Sequence, residues 1–128
     1  MPENADQSDQ AFQHLVRLLE KAVRAGADAV GLEREEQDLA VVHYFGSVGR
    51  AEAPVPQDLK QAVVEEIVKR AGLADKSRGT MPISLLGKDY DVVVDQRDNW
   101  GESEFTLTLK KSRQGTARLS FQGGNALS

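Results

Sequence analysis

The chain has 128 residues and a mass of 14.0 kDa, and its 40% hydrophobic content suffices for one core but not two. A formal charge of −4 and a pI near 5.2 count against a general nucleic-acid or anionic-membrane surface, because neither polyanion is attracted on average. There is no cysteine, which excludes disulfides and thiol chemistry, and the two histidines, His14 and His43, lie too far apart in sequence to suggest a zinc site.

Met1 to Gln10 is polar and acidic, unlike the charged-then-apolar pattern of a signal peptide, so the expected location is cytoplasmic. Residues 1–8 are expected to be disordered, having little to bury. Ser8 is suited to cap a helix that starts at Asp9. Phe12, Leu15, Val16, Leu19, Ala22 and Val23 recur at helical spacing, and Gly26 ends the run. Val30 to Glu33 reads as a short strand. Leu39 to Phe45 follows as an interior strand with apolar residues on both faces. Gly46 and Gly49 bracket a tight turn, and Ala51 to Pro56 is read as extended or irregular, because Pro54 and Pro56 restrict their predecessors.

Pro56 suits the first turn of a second helix, which Leu59, Val63 and Ile67 line as far as Ala71 before Gly72 stops it. Leu73 to Thr80 reads as a polar linker. Met81, Ile83 and Leu85 alternate inward before a turn at Gly87. Two strands then stand out by strict alternation. In Lys88 to Asp95, Tyr90, Val92 and Val94 share one face while Asp89, Asp91 and Asp95 share the other. In Glu104 to Lys110, Phe105, Leu107 and Leu109 alternate with polar residues. Such a period of two belongs to an antiparallel sheet with one packed and one wetted face. A further short strand is read at Ala117 to Phe121. The prediction is an α+β fold: a mixed, mostly antiparallel sheet of about five strands covered by two amphipathic helices, in the order αββαβββ. It forms a single domain over residues 9–121, with a flexible tail at 122–128. No internal repeat is visible.

The order of these elements and several local strings resemble the domain that precedes the motor in the ATPases of type II secretion and type IV pilus assembly. The strings are Ala27 to Glu33, Val41 to Gly46, Arg70 to Asp75, and the pair Asp91 to Val94 and Gly101-Glu102 with Phe105 to Leu109. The likeness covers roughly residues 11–111 and lies in order and spacing rather than in any one string. It departs where the family carries arginines near the motor's nucleotide, since Val42 and Tyr44 stand there and neither can clasp a phosphate. The histidine of the first family strand is replaced by Val30 or Gly31. A phosphate-cradling Gly-x-x-x-x-Gly-Lys-Ser/Thr string is absent too. The resemblance therefore implies the companion domain without the motor.

Other constellations have simpler readings. Asp89, Asp91 and Asp95 could hold a hard cation, but as one face of a strand they read as a hydrated surface, and they suit a basic partner strip better. Gly46 to Gly49 has the Gly-x-x-Gly spacing of some RNA-clamping domains, yet the flanking strand and prolines make it an ordinary turn. His43 reads as a packed residue with one satisfied nitrogen. Lys110, Lys111, Arg113 and Arg118 form the one basic cluster and read as a solvated edge. Trp100 sits in a polar loop expected from Asp95 to Glu102, which also holds Arg97, either as a binding anchor or folded over the sheet end. The candidate protein-binding set is Trp100, Asp89, Asp91, Asp95 and Arg97. No catalytic, cofactor-binding or metal-binding residue is predicted.

The expected function is a non-enzymatic protein-interaction module that needs no cofactor. Its expected partner is a protein component of a secretion or pilus machine, with no nucleic acid and no membrane insertion. Two other readings remain open: an acidic secretion chaperone that binds an effector segment, and a PAS-like small-ligand sensor. The sequence leaves the oligomeric state open.

Overall fold

The structure, a computed structural model, describes residues 2–99 and 102–112. In chain order the elements are α1 (Pro2–Ala25), β1 (Ala29–Glu35), β2 (Asp38–Phe45), β3 (Val48–Glu52), α2 (Lys60–Ala71), β4 (Arg78–Leu85), β5 (Lys88–Asn99) and β6 (Glu102–Thr108). The fold is α+β, as the sequence predicts, but the sheet has six strands and every pairing is antiparallel. The extra strand is β3, which falls where a turn and an irregular stretch were expected. Gly46 and Ser47 make the turn, and Gly49 lies inside the strand opposite Tyr44.

The strand order is β3-β2-β1-β6-β5-β4. A helix followed by a three-stranded meander occurs twice in succession, and the two meanders join through β1 and β6. This architectural repetition has no counterpart in the residue pattern.

Helix α1 begins at Pro2, so Pro2 to Ser8 belong to the helix and Ser8 is not its cap. Ala11, Leu15, Leu18, Leu19 and Ala22 are buried at helical spacing. Helix α2 begins at Lys60 rather than at Pro56, because Pro56 to Leu59 forms a turn with the Leu59 N–H donating to the Pro56 carbonyl at 3.0 Å. It ends at Gly72, whose positive φ of 68° lets the Leu73 N–H reach the Val68 carbonyl at 2.9 Å.

Both helices pack on one sheet face. Val30 and Leu32 of β1, Leu39 and Val41 of β2, and Met81, Ile83 and Leu85 of β4 point into the core. So do Tyr90, Val92 and Val94 of β5 with Phe105 and Leu107 of β6. The polar linker expected at Leu73 to Thr80 is shorter than the sequence implies, because β4 starts at Arg78. Gly79 sits so close to α2 that a Cβ there would overlap the Ala71 carbonyl oxygen. The strand expected at Ala117 to Phe121 and the tail at 122–128 lie outside the described residues.

Glu66 of α2 is 4% exposed and ties the helices together. The Ser8 hydroxyl donates to its Oε2 at 2.6 Å, and Arg70 Nε donates to its Oε1 at 2.8 Å. The Arg70 guanidinium also lies 3.6 Å from the centroid of the Phe12 ring. Burial pushes the Glu66 carboxyl up, but bonds from Ser8, Arg70 and Lys69 together hold it below the usual range.

Candidate protein-binding surface

Side chains alternate across a strand, so the residues between the core positions form the opposite sheet face. Among the described residues no helix covers it. Its centre is flat and only half exposed. Gly31 of β1 pairs with Val42 of β2 and with Thr106 of β6, and Val42 pairs with Ala51 of β3. Tyr44 lies over this region between two glycines. A Cβ on Gly31 would meet Tyr44 Cε2 at 2.8 Å, and one on Gly49 would meet Tyr44 Cε1 at 3.0 Å. The ring can lie flat because both strands beside it lack side chains at those places.

Charge surrounds this plate. The Tyr44 hydroxyl donates to Glu33 Oε2 at 2.5 Å, a bond that, with partial burial, holds the phenol above its ordinary ionisation range. Glu104 of β6 accepts from the Arg34 N–H at 3.0 Å. Arg97, expected in a loop, instead lies in β5, which runs on to Asn99 because its ladder with β6 continues, and it stands opposite Glu104. Asp89, Asp91 and Asp95 lie on this face as expected, yet two of them have cationic neighbours. Asp95 Oδ1 is 3.5 Å from Arg78 Nε, and Asp91 shares a shallow groove with Lys110, Lys111, Thr80 and Val93. The groove forms because residues 110–112 run on beside β5, with the Asp91 N–H donating to the Lys110 carbonyl at 2.7 Å.

Four of the five candidate residues therefore share one surface. Trp100 lies outside the described residues, as do Arg113 and Arg118 of the basic cluster. Sequence reasoning missed Tyr44, Gly31 and Glu33. The signal was a tyrosine in a strand whose neighbouring strand carries a glycine, which becomes informative only once the register is known. His43 points to the other face, into the core, and its Nδ1 has no hydrogen-bond partner rather than the satisfied nitrogen expected.

Among the described residues no group of three His, Cys, Asp or Glu side chains is arranged to hold a metal ion, and no helix is long and apolar enough to cross a membrane. Compared with protein-family models and with curated proteins, the chain matches none.

Proposed function

We propose that this chain is a non-enzymatic protein-interaction module that meets its partner on the helix-free sheet face. One observation carries the reading: both helices lie on one side of the sheet, leaving the Tyr44 plate and its charged border uncovered among the described residues. On that face the strand carboxylates Glu33, Asp89, Asp91, Asp95 and Glu104 outnumber Arg78 and Arg97, which suits a partner that presents basic residues. The resemblance of the sequence to the companion domain of secretion ATPases makes a cytoplasmic component of a secretion or pilus machine the partner class of choice.

The absence of cysteine makes the test direct. A photo-crosslinker attached to a cysteine at Val42 should capture a secretion or pilus component in cells, whereas one at exposed Glu65 on α2 should not. ATP hydrolysis traceable to the purified chain, or capture from Glu65 alone, would overturn the reading.

A second reading, the acidic secretion chaperone, gains from one observation. Its sheet would not tolerate the prolines at 54 and 56, and both lie in the connection after β3 rather than in the sheet. A stable dimer at micromolar concentration that binds an unfolded effector segment would favour it over the lead.

A further inference from the structure

On the opposite side of the sheet, α1 and the β2–β3 end enclose an open cleft of about 210 Å³. Leu18, Val41 and Pro54 supply its apolar wall. His43 lies at the base, 1% exposed, with Nδ1 unpartnered and 3.8 Å from Glu52 Oε2, too far for a hydrogen bond. Glu52 is already engaged: Lys21 Nζ stands 3.1 Å from its Oε1 and Arg50 Nε 3.3 Å from its Oε2. Arg17, which also lines the cleft, has no ion pair among the described residues. Among the described residues, the cleft thus offers one buried ring nitrogen without a hydrogen-bond partner and one guanidinium without an ion pair. A single carboxylate would satisfy both.

The volume is below the roughly 300 Å³ at which pockets for drug-sized ligands begin, and it leaves ample room for one acidic side chain. The cleft also adjoins the sheet's unprotected edge. At the far edge, β4 carries Pro82 and is held close to α2 at Gly79, two features that discourage strand addition. At the near edge, β3 has no strand on its outer side among the described residues, and its Val48 is 64% exposed. Arg17, Lys21 and Arg24 recur along one row of α1, and Arg50 of β3 shares the register position of His43 on the same sheet face. On a chain of net charge −4, this is a local concentration of cations.

We propose that an extended, acidic segment of a partner protein adds to β3 as a seventh strand and places one Asp or Glu side chain in the cleft. Its carboxylate accepts from His43 Nδ1–H and pairs with Arg17, while neighbouring acidic residues of the segment face Lys21, Arg24 and Arg50. Backbone bonds along the strand give affinity, and the cleft selects the acidic side chain. This site is separate from the sheet face assigned above and does not depend on it.

The probe is a capped peptide of alternating glutamate and valine, titrated into the isotope-labelled full chain and followed by amide NMR. Saturable shifts are expected across Val48 to Glu52 and around Arg17, with hydrogen-exchange protection appearing in β3. Replacing glutamate by glutamine in the peptide, or making Arg17→Glu in the protein, should weaken binding at least tenfold. Glu65→Lys, exposed on α2 and outside both surfaces, should leave it unchanged, and shifts confined to the sheet face would separate failure here from failure of the sheet-face reading. The proposal is overturned by no saturable binding at millimolar peptide, by equal binding of the glutamine peptide, or by shifts confined to Val42 and Thr106. It is overturned equally if butyrate alone reproduces the Arg17 shifts with β3 unprotected, or if β3 proves to be buried against a second copy of the chain.

Discussion

Tyr44 lies across Gly31 with its hydroxyl 2.5 Å from Glu33 Oε2, so one aromatic ring spans two strands and closes the centre of the open sheet face. Gly31→Ala would push a methyl group against both Tyr44 Cε2 and Glu33 Oε2, and the ring would have to lift. A loss of about 1–2 kcal/mol in denaturant unfolding is expected, within the range for overpacking. Tyr44→Phe removes only the hydroxyl bond and should cost about 0.5–1 kcal/mol. It should also remove a late-ionising component from the alkaline ultraviolet titration, because the Tyr44 phenol titrates above its ordinary value of 10.0.

Gly79→Ala should be far more damaging. The added Cβ overlaps the carbonyl oxygen of Ala71 at the end of α2, and backbone there cannot turn aside as the far end of a flexible side chain can. Helix α2 and β4 must separate, at a cost of about 3 kcal/mol. The drop in urea midpoint should exceed that of Gly31→Ala clearly.

Ser8 and Glu66 test the contact between the two helices. Ser8→Ala should cost about 1 kcal/mol and Glu66→Ala about 2 kcal/mol, the latter because Glu66 also accepts from Arg70. In a double-mutant cycle the two losses should not add, since they remove the same bond. Full additivity would mean that the start of α1 is not anchored to α2.

Stability should fall in two stages as the solution is acidified. His14 and His43 are both held below 6.5, chiefly by burial; Arg17 adds to this at His14, while at His43 the opposing pull of Glu52 is outweighed by burial with Arg50 and Lys21. The unfolded chain therefore takes up these protons first, and folding free energy declines as pH drops below 6.5 through the folded values. Glu52 and Glu66 lie below the ordinary 4.5, Glu52 chiefly through its bond from Lys21. Their contribution is complete above 4.5 and is lost as pH falls through the depressed values. His43→Leu should flatten the first stage and, by removing a buried ring nitrogen without a hydrogen-bond partner, raise stability by about 1 kcal/mol at neutral pH. Urea midpoints across the pH series would check both stages.

The parts of the fold legible in the sequence are those whose burial alternates cleanly. Tyr90, Val92 and Val94 declared β5, and Phe105 and Leu107 declared β6, because each strand has one dry and one wet face. Strand β3 was illegible for the opposite reason. An edge strand with residues such as Val48, Gly49 and Arg50 exposed buries too little to write an apolar period into its sequence. Gly79 and Ser8 misled in a related way. A glycine in a polar stretch reads as a linker, and a serine before an acidic residue reads as a cap. Close approach to Ala71 and a bond to Glu66 are tertiary facts. The candidate surface was half visible: the aspartate face was in the pattern, but Tyr44 gained meaning only from the glycines set beside it by register.

The seam between the two meanders runs where Ala29 to Leu32 meets Phe105 to Thr108. The central neighbour of β1 is thus the last strand made among the described residues. While the ribosome works through the intervening seventy-odd residues, the middle of the future sheet stands open along Val30 and Leu32, and non-local closure of this kind is slow and prone to wrong pairing. A nascent chain stalled before Phe105 would present that bare margin to its neighbours on the polysome, so shielding during synthesis is a demand built into the strand order itself.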